Sequence, residues 1–222
     1  MVPVMLQRWH EISFVHWSCD PALLQLRLPR GLQLDDFDGK GWIGLTPFLL
    51  VGLRPVLVPR VLGMSFPETN LRTYVRGPNG PGIWFFSLDA ARLTAVAGAR
   101  ATYGLPYYWS DMEVRISAEE VLYYSNRGGR ARVRIRVAKE NPIENRSALE
   151  TFLTERYRLY SLLGSRLISA EVRHPPWKLN QARLLEFEET LRRAAGVEFP
   201  SSDFLVHHSG GVDTKIGLPH RV

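Results

Sequence analysis

From Arg130 to Val137 the chain alternates without a break, setting Arg130, Arg132, Arg134 and Arg136 against Ala131, Val133, Ile135 and Val137. A period of two puts successive side chains on opposite faces, so this segment predicts a strand with one cationic and one apolar face. Asn126-Arg127-Gly128-Gly129 ahead of it has the composition of a tight turn, and residues 121–137 therefore predict a β-hairpin. Residues 12–17, 41–51, 70–76, 83–88, 113–117 and 121–125 are further strands, rich in branched and aromatic residues and separated by Gly, Pro or Asp.

Beyond Pro142 the period lengthens. Ser147 followed three positions later by Glu150 forms a capping box, and Leu149, Phe152, Leu153 and then Tyr157 or Tyr160 recur at helical spacing, so a helix should begin near Ala148. Residues 180–195 carry Leu184, Phe187 and Leu191 on one side, Arg192 and Arg193 in the last turn and Gly196 as a stop, which predicts a second amphipathic helix. Residues 166–174 and 205–216 read as strands that rejoin the sheet. The pattern is α+β and mostly antiparallel β, with two flanking helices in the C-terminal third. No repeat or linker interrupts it, so residues 1–222 are expected to form a single domain.

Composition narrows the class. Six Trp, eight Tyr and ten Phe in 222 residues supply a substantial core. Cys19 is the only cysteine, which excludes an intramolecular disulfide, and the first residues show no charged start followed by an apolar core, so a cytoplasmic location is expected. The longest apolar run, residues 42–53, contains Pro47 and is too short for a membrane helix. The net charge of +6 raises nucleic acid as a partner. The arginine ladder could follow phosphates. It could equally be the solvated face of an antiparallel strand offset by Glu113, Glu119 and Glu120. No recognition helix or stacking motif accompanies it.

Chemistry concentrates on residues 68–76, where Glu68, Asn70, Arg72, Tyr74 and Arg76 share one face of an extended strand. Facing a cavity, Arg72 would grip a carboxylate through its fork and Glu68 would move a proton. Of the four lysines, Lys40, Lys139, Lys178 and Lys215, only Lys139 shares the apolar parity of its strand, and it sits where that strand is expected to fray. His207 and His208 are adjacent and must face opposite ways on a strand; no ligand spacing for a metal is present. There is no Gly-x-Ser-x-Gly elbow.

Three stretches resemble acetoacetate decarboxylases in order and spacing: Phe66-Pro67-Glu68, residues 80–89 (Gly-Pro-Gly-Ile-Trp-Phe-Phe-Ser-Leu-Asp), and Arg100-Ala101-Thr102-Tyr103-Gly104-Leu105-Pro106-Tyr107-Tyr108. Nearly the whole chain resembles more closely a YqjF-like family (domain of unknown function 2071) in the same superfamily. The motifs that carry this likeness are Phe14-Val15-His16-Trp17, Leu34-Asp35-Asp36-Phe37-Asp38-Gly39, Asn70-Leu71-Arg72-Thr73-Tyr74-Val75, Trp84-Phe85-Phe86-Ser87-Leu88-Asp89-Ala90, His174-Pro175-Pro176-Trp177 and His207-His208-Ser209-Gly210-Gly211-Val212-Asp213. The resemblance implies a conical, mostly antiparallel β-barrel with flanking helices and an internal pocket.

It also implies positions. The decarboxylases' imine-forming lysine and its neighbour fall on Tyr107 and Tyr108, where no primary amine exists to form an imine. Their active-site glutamate falls on Glu68, their loop arginine on Arg100, and an N-terminal basic residue on His10. The expected protein therefore binds a small organic acid or carbonyl compound, without a cofactor or metal, and is not a Schiff-base decarboxylase at the usual position. Glu68, Tyr107 and Tyr108 are its candidate catalytic residues. Arg72, Asn70, Tyr74, Trp84, Phe86, Arg100 and His10 are its candidate ligand-binding residues. Two alternatives stand beside this reading: a lyase, hydratase or isomerase transferring protons through Glu68 with Tyr107 or Tyr108, and a nucleic-acid binder using the ladder from Arg130 to Arg136. Free barrel edges could pair into a homo-oligomer.

Overall fold

The hydrophobic alternation yields strands that are longer than the sequence signals alone. In the computed structural model, which describes residues 2–199 and 203–222, β1 (Pro3–Cys19), β2 (Gln33–Leu34), β3 (Gly41–Pro55), β4 (Met64–Gly77) and β5 (Gly80–Ala90) come first. They are followed by β6 (Tyr107–Trp109), β7 (Asp111–Ile116), β8 (Glu120–Asn126) and β9 (Arg132–Pro142). The remaining strands are β10 (Arg158–Leu163), β11 (Arg166–Arg173), β12 (Asn180–Glu189), β13 (Leu205–Gly217) and β14 (His220–Arg221). The helices are α1 (Pro21–Gln25), α2 (Leu93–Tyr103), α3 (Ala148–Thr154) and α4 (Leu191–Ala194).

These strands make one sheet in the order β14-β11-β10-β5-β4-β3-β1-β13-β12-β9-β8-β7, with β2 on β4 and β6 on β5. Pairing is antiparallel except for β10 and β6, which run parallel to β5. β11 also pairs with β13 through Val172↔Ile216 and Arg173↔Lys215, so the path through β11, β10, β5, β4, β3, β1 and β13 returns on itself.

Alternation along β1, β3 and β4 buries both faces. Trp17, Ile43, Leu45 and Leu71 point to one side and pack on Val133, Ile135 and Val137 of the predicted hairpin. Ile12, Phe14, Phe48, Leu50 and Phe66 point to the other side, the interior, where they meet Trp177. The hairpin is present as expected, with β8 antiparallel to β9. On its polar face Arg134 ion-pairs with Glu186, and Arg136 lies 3.7 Å from Glu120 and 3.9 Å from Glu186. Carboxylates thus offset the middle of the ladder.

The capping box also forms: Ser147 Oγ accepts from the Glu150 amide at 3.2 Å and Glu150 Oε2 accepts from the Ser147 amide at 2.7 Å. α3 ends at Thr154, so Tyr157 and Tyr160 lie beyond it. The second expected helix is a correction. Residues 180–189 form strand β12, and only Leu191–Ala194 turn helical before Gly196, whose φ is +72°. The pairing of β12 with β9 slips between Leu184 and Glu186, which marks a bulge at Leu185. The bulge changes the inward spacing from two to three, so Ala182, Leu184 and Phe187 reach the core and imitate a helical repeat.

α2 was not foreseen. Its residues are mostly Ala, Thr and Gly, which leave no apolar stripe to read. It ends at Gly104 in the left-handed region (φ +59°), where a Cβ would sit 2.1 Å from the Leu162 carbonyl oxygen. Gly104→Ala is expected to cost at least about 2–3 kcal/mol, because left-handed strain adds to a backbone clash. Urea denaturation would measure it, and a loss below 1 kcal/mol would mean that this close approach is not made.

Candidate ligand site

Glu68, Asn70 and Arg72 occupy successive inward positions of β4, at 4%, 5% and 8% exposure. They face an interior cavity of about 420 Å³. Its floor is polar and its walls are mostly apolar, including Phe48, Leu50, Phe66, Ile83, Phe85 and Leu88. β6 lies beside β5 with Tyr107 opposite Leu88, which brings the Tyr107 hydroxyl to Glu68. That hydroxyl donates to Glu68 Oε2 at 2.8 Å and leaves the other carboxyl oxygen to the cavity.

Burial sets the charge states. Desolvation raises the Glu68 pKa to about 8, against the opposing effect of the Tyr107 hydrogen bond, so the carboxyl is protonated at neutral pH. Tyr107 is pushed well above the usual phenol range by burial and by Glu68, and stays protonated as well. His174, also in the cavity wall, is lowered chiefly by burial and is neutral at pH 7. Two wall arginines have acidic partners: Arg156 Nη1 bonds Asp35 at 2.8 Å, and Arg158 lies 3.9 Å from Glu171.

Arg72 differs. No carboxylate among the described residues ion-pairs with it; its guanidinium stands 5.5 Å from the Phe14 ring centre and near the Tyr74 phenol. Its Nε, Asn70 Oδ1 and Arg156 Nη2 are all buried without a hydrogen-bond partner. Buried polar atoms are nearly always satisfied, so three orphans on cavity-lining residues are exceptional.

The structure gathers some of the expected residues and scatters others. Glu68, Asn70, Arg72 and Tyr107 meet in the cavity. Tyr74 follows them on β4, but its hydroxyl bonds His16 Nε2 at 2.7 Å and donates to the Leu153 carbonyl at 2.8 Å, beneath α3. Trp84 and Phe86 do not line the cavity; Trp84 packs near Tyr160 and Phe86 joins the hairpin core. The β4–β5 register slips between Leu71 and Arg72, where Phe86 is bulged out, so Ile83 and Phe85 face inward before it and Leu88 after it. Tyr108 points away and is 41% exposed, with Arg127 over its ring at 3.7 Å. Arg100 lies on the exposed side of α2, and His10 Nδ1 bonds the Gly210 carbonyl at 3.0 Å.

Lys139 is not on a frayed end. β9 continues to Pro142, and Lys139 Nζ reaches Glu11 Oε2 at 2.6 Å, outside the cavity wall. His207 and His208 do face opposite ways, toward Glu150 and Glu11 respectively. Sequence reasoning assigned no role to Trp9, Arg156, Arg158, His174 or Trp177, all of which line the cavity. His174 and Trp177 stand in a motif that carried the family likeness, so that motif was their signal. Among the described residues no cluster of His, Cys, Asp or Glu could hold a metal ion, and no helix is long and apolar enough to cross a membrane.

The profile of DUF2071, described as an uncharacterized conserved protein, matches residues 6–213. The chain belongs to this family. Within it, YqjF of Bacillus subtilis (strain 168) is 37% identical over 212 residues, covering 93% of this chain and 87% of YqjF. Solved structures extend the likeness of this DUF2071 protein. The enduracididine biosynthesis enzyme MppR complexed with pyruvate superposes with a TM-score of 0.71 at 14% identity, over 100% of this chain and 91% of MppR. Acetoacetate decarboxylase from Legionella pneumophila gives 0.70 at 15% identity, over 100% and 87%. At such identities the likeness is one of fold, here the acetoacetate decarboxylase-like fold.

Proposed function

We propose that this DUF2071 protein is a single domain that binds a small organic acid or carbonyl compound inside a conical β-barrel, and that it does so in the cytoplasm. The barrel reading rests on the strand path that returns on itself through β11 and β13. The observation that carries the binding reading is Arg72, a buried guanidinium facing the cavity without a carboxylate of its own. An incoming carboxylate would supply the missing charge and bond through the planar fork. Protonated Glu68 would donate to the same ligand. The cavity wall presents tyrosine at position 107 and no lysine among its described residues, so the reading involves no imine there.

A second reading is favoured by the 2.8 Å bond between Tyr107 and Glu68. A carboxyl with a pKa near 8 is matched to proton transfer at neutral pH, so the pair could serve a lyase, hydratase or isomerase. The ion pairs on Arg134 and Arg136 give no comparable support to a nucleic-acid surface.

Thermal denaturation of wild type and Arg72→Met against carboxylates, ketones and aldehydes tests the binding reading. A bound acid at 100 times its Kd adds about 2.7 kcal/mol, or roughly 5–10 °C for a chain of this length. In Arg72→Met that shift should vanish while the unliganded protein melts no lower, because an uncompensated buried charge has been removed. An acid that shifts both proteins equally would place its site elsewhere. If Glu68→Gln then binds the acid without turning it over, the enzymatic reading gains.

A further inference from the structure

The cavity lining is mostly apolar, more so than a small keto acid needs. Its polar groups lie at the buried end, on β4: Glu68, Asn70 and Arg72 are all below one-tenth exposure. Its exposed lining includes Thr94, Gly98 and Thr102 of α2 and Leu218 after β13. Along β4 the lining runs from Met64, whose Sδ accepts from Thr94 Oγ1 of α2 at 3.7 Å, through Phe66 to Arg72, which pairs with Phe85 of β5. A volume of about 420 Å³ falls within the range of roughly 300–1,000 Å³ that holds drug-sized ligands.

The side of α2 that faces the cavity is built from Ala95, Gly98, Ala99 and Thr102, and a Cβ at Gly98 would meet nothing within 4 Å. Gly98 is exposed as well as cavity-lining, so a larger side chain fits there without disturbing the helix and would narrow the cavity on the α2 side.

We propose that the ligand is an amphiphilic carboxylic acid with an extended apolar body of about medium chain length. It enters head first: the carboxylate reaches Arg72 and the tail lies along the apolar walls and leaves past Gly98 and Leu218. This deepens the acid-binding reading and rests on it. The apolar walls supply affinity that grows with tail length, and the buried guanidinium supplies the selection for an acid over an alcohol.

Titration calorimetry with acetate, hexanoate, decanoate and 1-decanol, each below its aggregation concentration, tests it on wild type and on Gly98→Leu. Each buried methylene tightens binding about three- to fourfold, so decanoate is expected at least about fiftyfold tighter than hexanoate. Decanol should bind at least about tenfold more weakly than decanoate. In Gly98→Leu, whose helix is if anything reinforced, hexanoate should bind as in wild type and the advantage of decanoate should fall below about tenfold. Equal affinity for acetate, hexanoate and decanoate would overturn the amphiphile and leave the acid site standing. Binding of none of the four would overturn both. Decanol binding as tightly as decanoate would overturn the buried head position, and an unchanged decanoate advantage in Gly98→Leu would overturn the path past α2.

Discussion

Glu68→Gln is expected to be more stable than the wild type at pH 8–9, by on the order of 4–5 kcal/mol, and to be no more stable at pH 4. The sign follows from proton counts. Between pH 4.5 and about 8 the unfolded chain has released the Glu68 proton while the folded chain holds it, because burial raises the folded pKa. The folded state binds more protons in that window, so stability falls as pH rises through it, by about 1.4 kcal/mol per pH unit, and levels off above pH 8. Glutamine cannot ionise and still accepts the Tyr107 hydroxyl, so the variant escapes the fall. His174 and His207, both lowered by burial, contribute the opposite slope as pH falls below 6.5, but they do so in both proteins and cancel in the difference. Urea denaturation of the pair from pH 4.5 to 9 measures that difference directly. A flat difference would mean that Glu68 ionises near its ordinary pKa and that the cavity floor is wet.

The same protonation links stability to binding. A neutral Glu68 can donate to an acid held by Arg72, whereas an ionised one would repel it. Wild-type affinity for acids is therefore expected to decline as pH passes 8, where the fall in stability has already levelled off. An ionisable group thus stands where a hydrophobic one would be more stable, a pattern commoner in sites than in cores.

Much of this site was legible because β4 alternates regularly: Glu68, Asn70 and Arg72 had to share a face, and the fold needed only to cover it. What misled were the bulges. Phe86 and Leu185 each add a residue to one strand and shift every later side chain to the other face, and no residue type at either position announces it. One bulge moved Trp84 and Phe86 out of the expected pocket, and the other disguised β12 as a helix. The small residues of α2 hid a helix for the reverse reason, since a face kept small for a cavity carries no hydrophobic period. Arg156 was out of reach because its approach to the cavity depends on Asp35, 121 positions away in the chain.

Lys139→Met is expected to destabilise the protein by about 3 kcal/mol, and the double variant Glu11→Gln/Lys139→Met to recover most of that loss. Lys139 and Glu11 are 18% and 13% exposed at the side chain and 2.6 Å apart. His208 Nε2 lies 3.2 Å from the same Glu11 oxygen, and His208 Nδ1 is 3.1 Å from Ser13 Oγ, which in turn bonds Tyr123. Removing the ammonium leaves a carboxylate shut away from water with a neutral imidazole as its nearest partner. Removing both charges leaves only hydrogen-bonding groups, so the coupling between the two substitutions should exceed about 1 kcal/mol. Glu11 sits at φ +46°, but that backbone strain is common to every member of the cycle and drops out. His208 adds a signature. Burial and Lys139 both hold its pKa low in the wild type, so without Lys139 it protonates more readily beside Glu11 and replaces the lost cation. The cost of Lys139→Met should therefore shrink as pH falls from 7 to 5. Additive single variants, with a cost independent of pH, would mean that these three groups do not form a closed charge network.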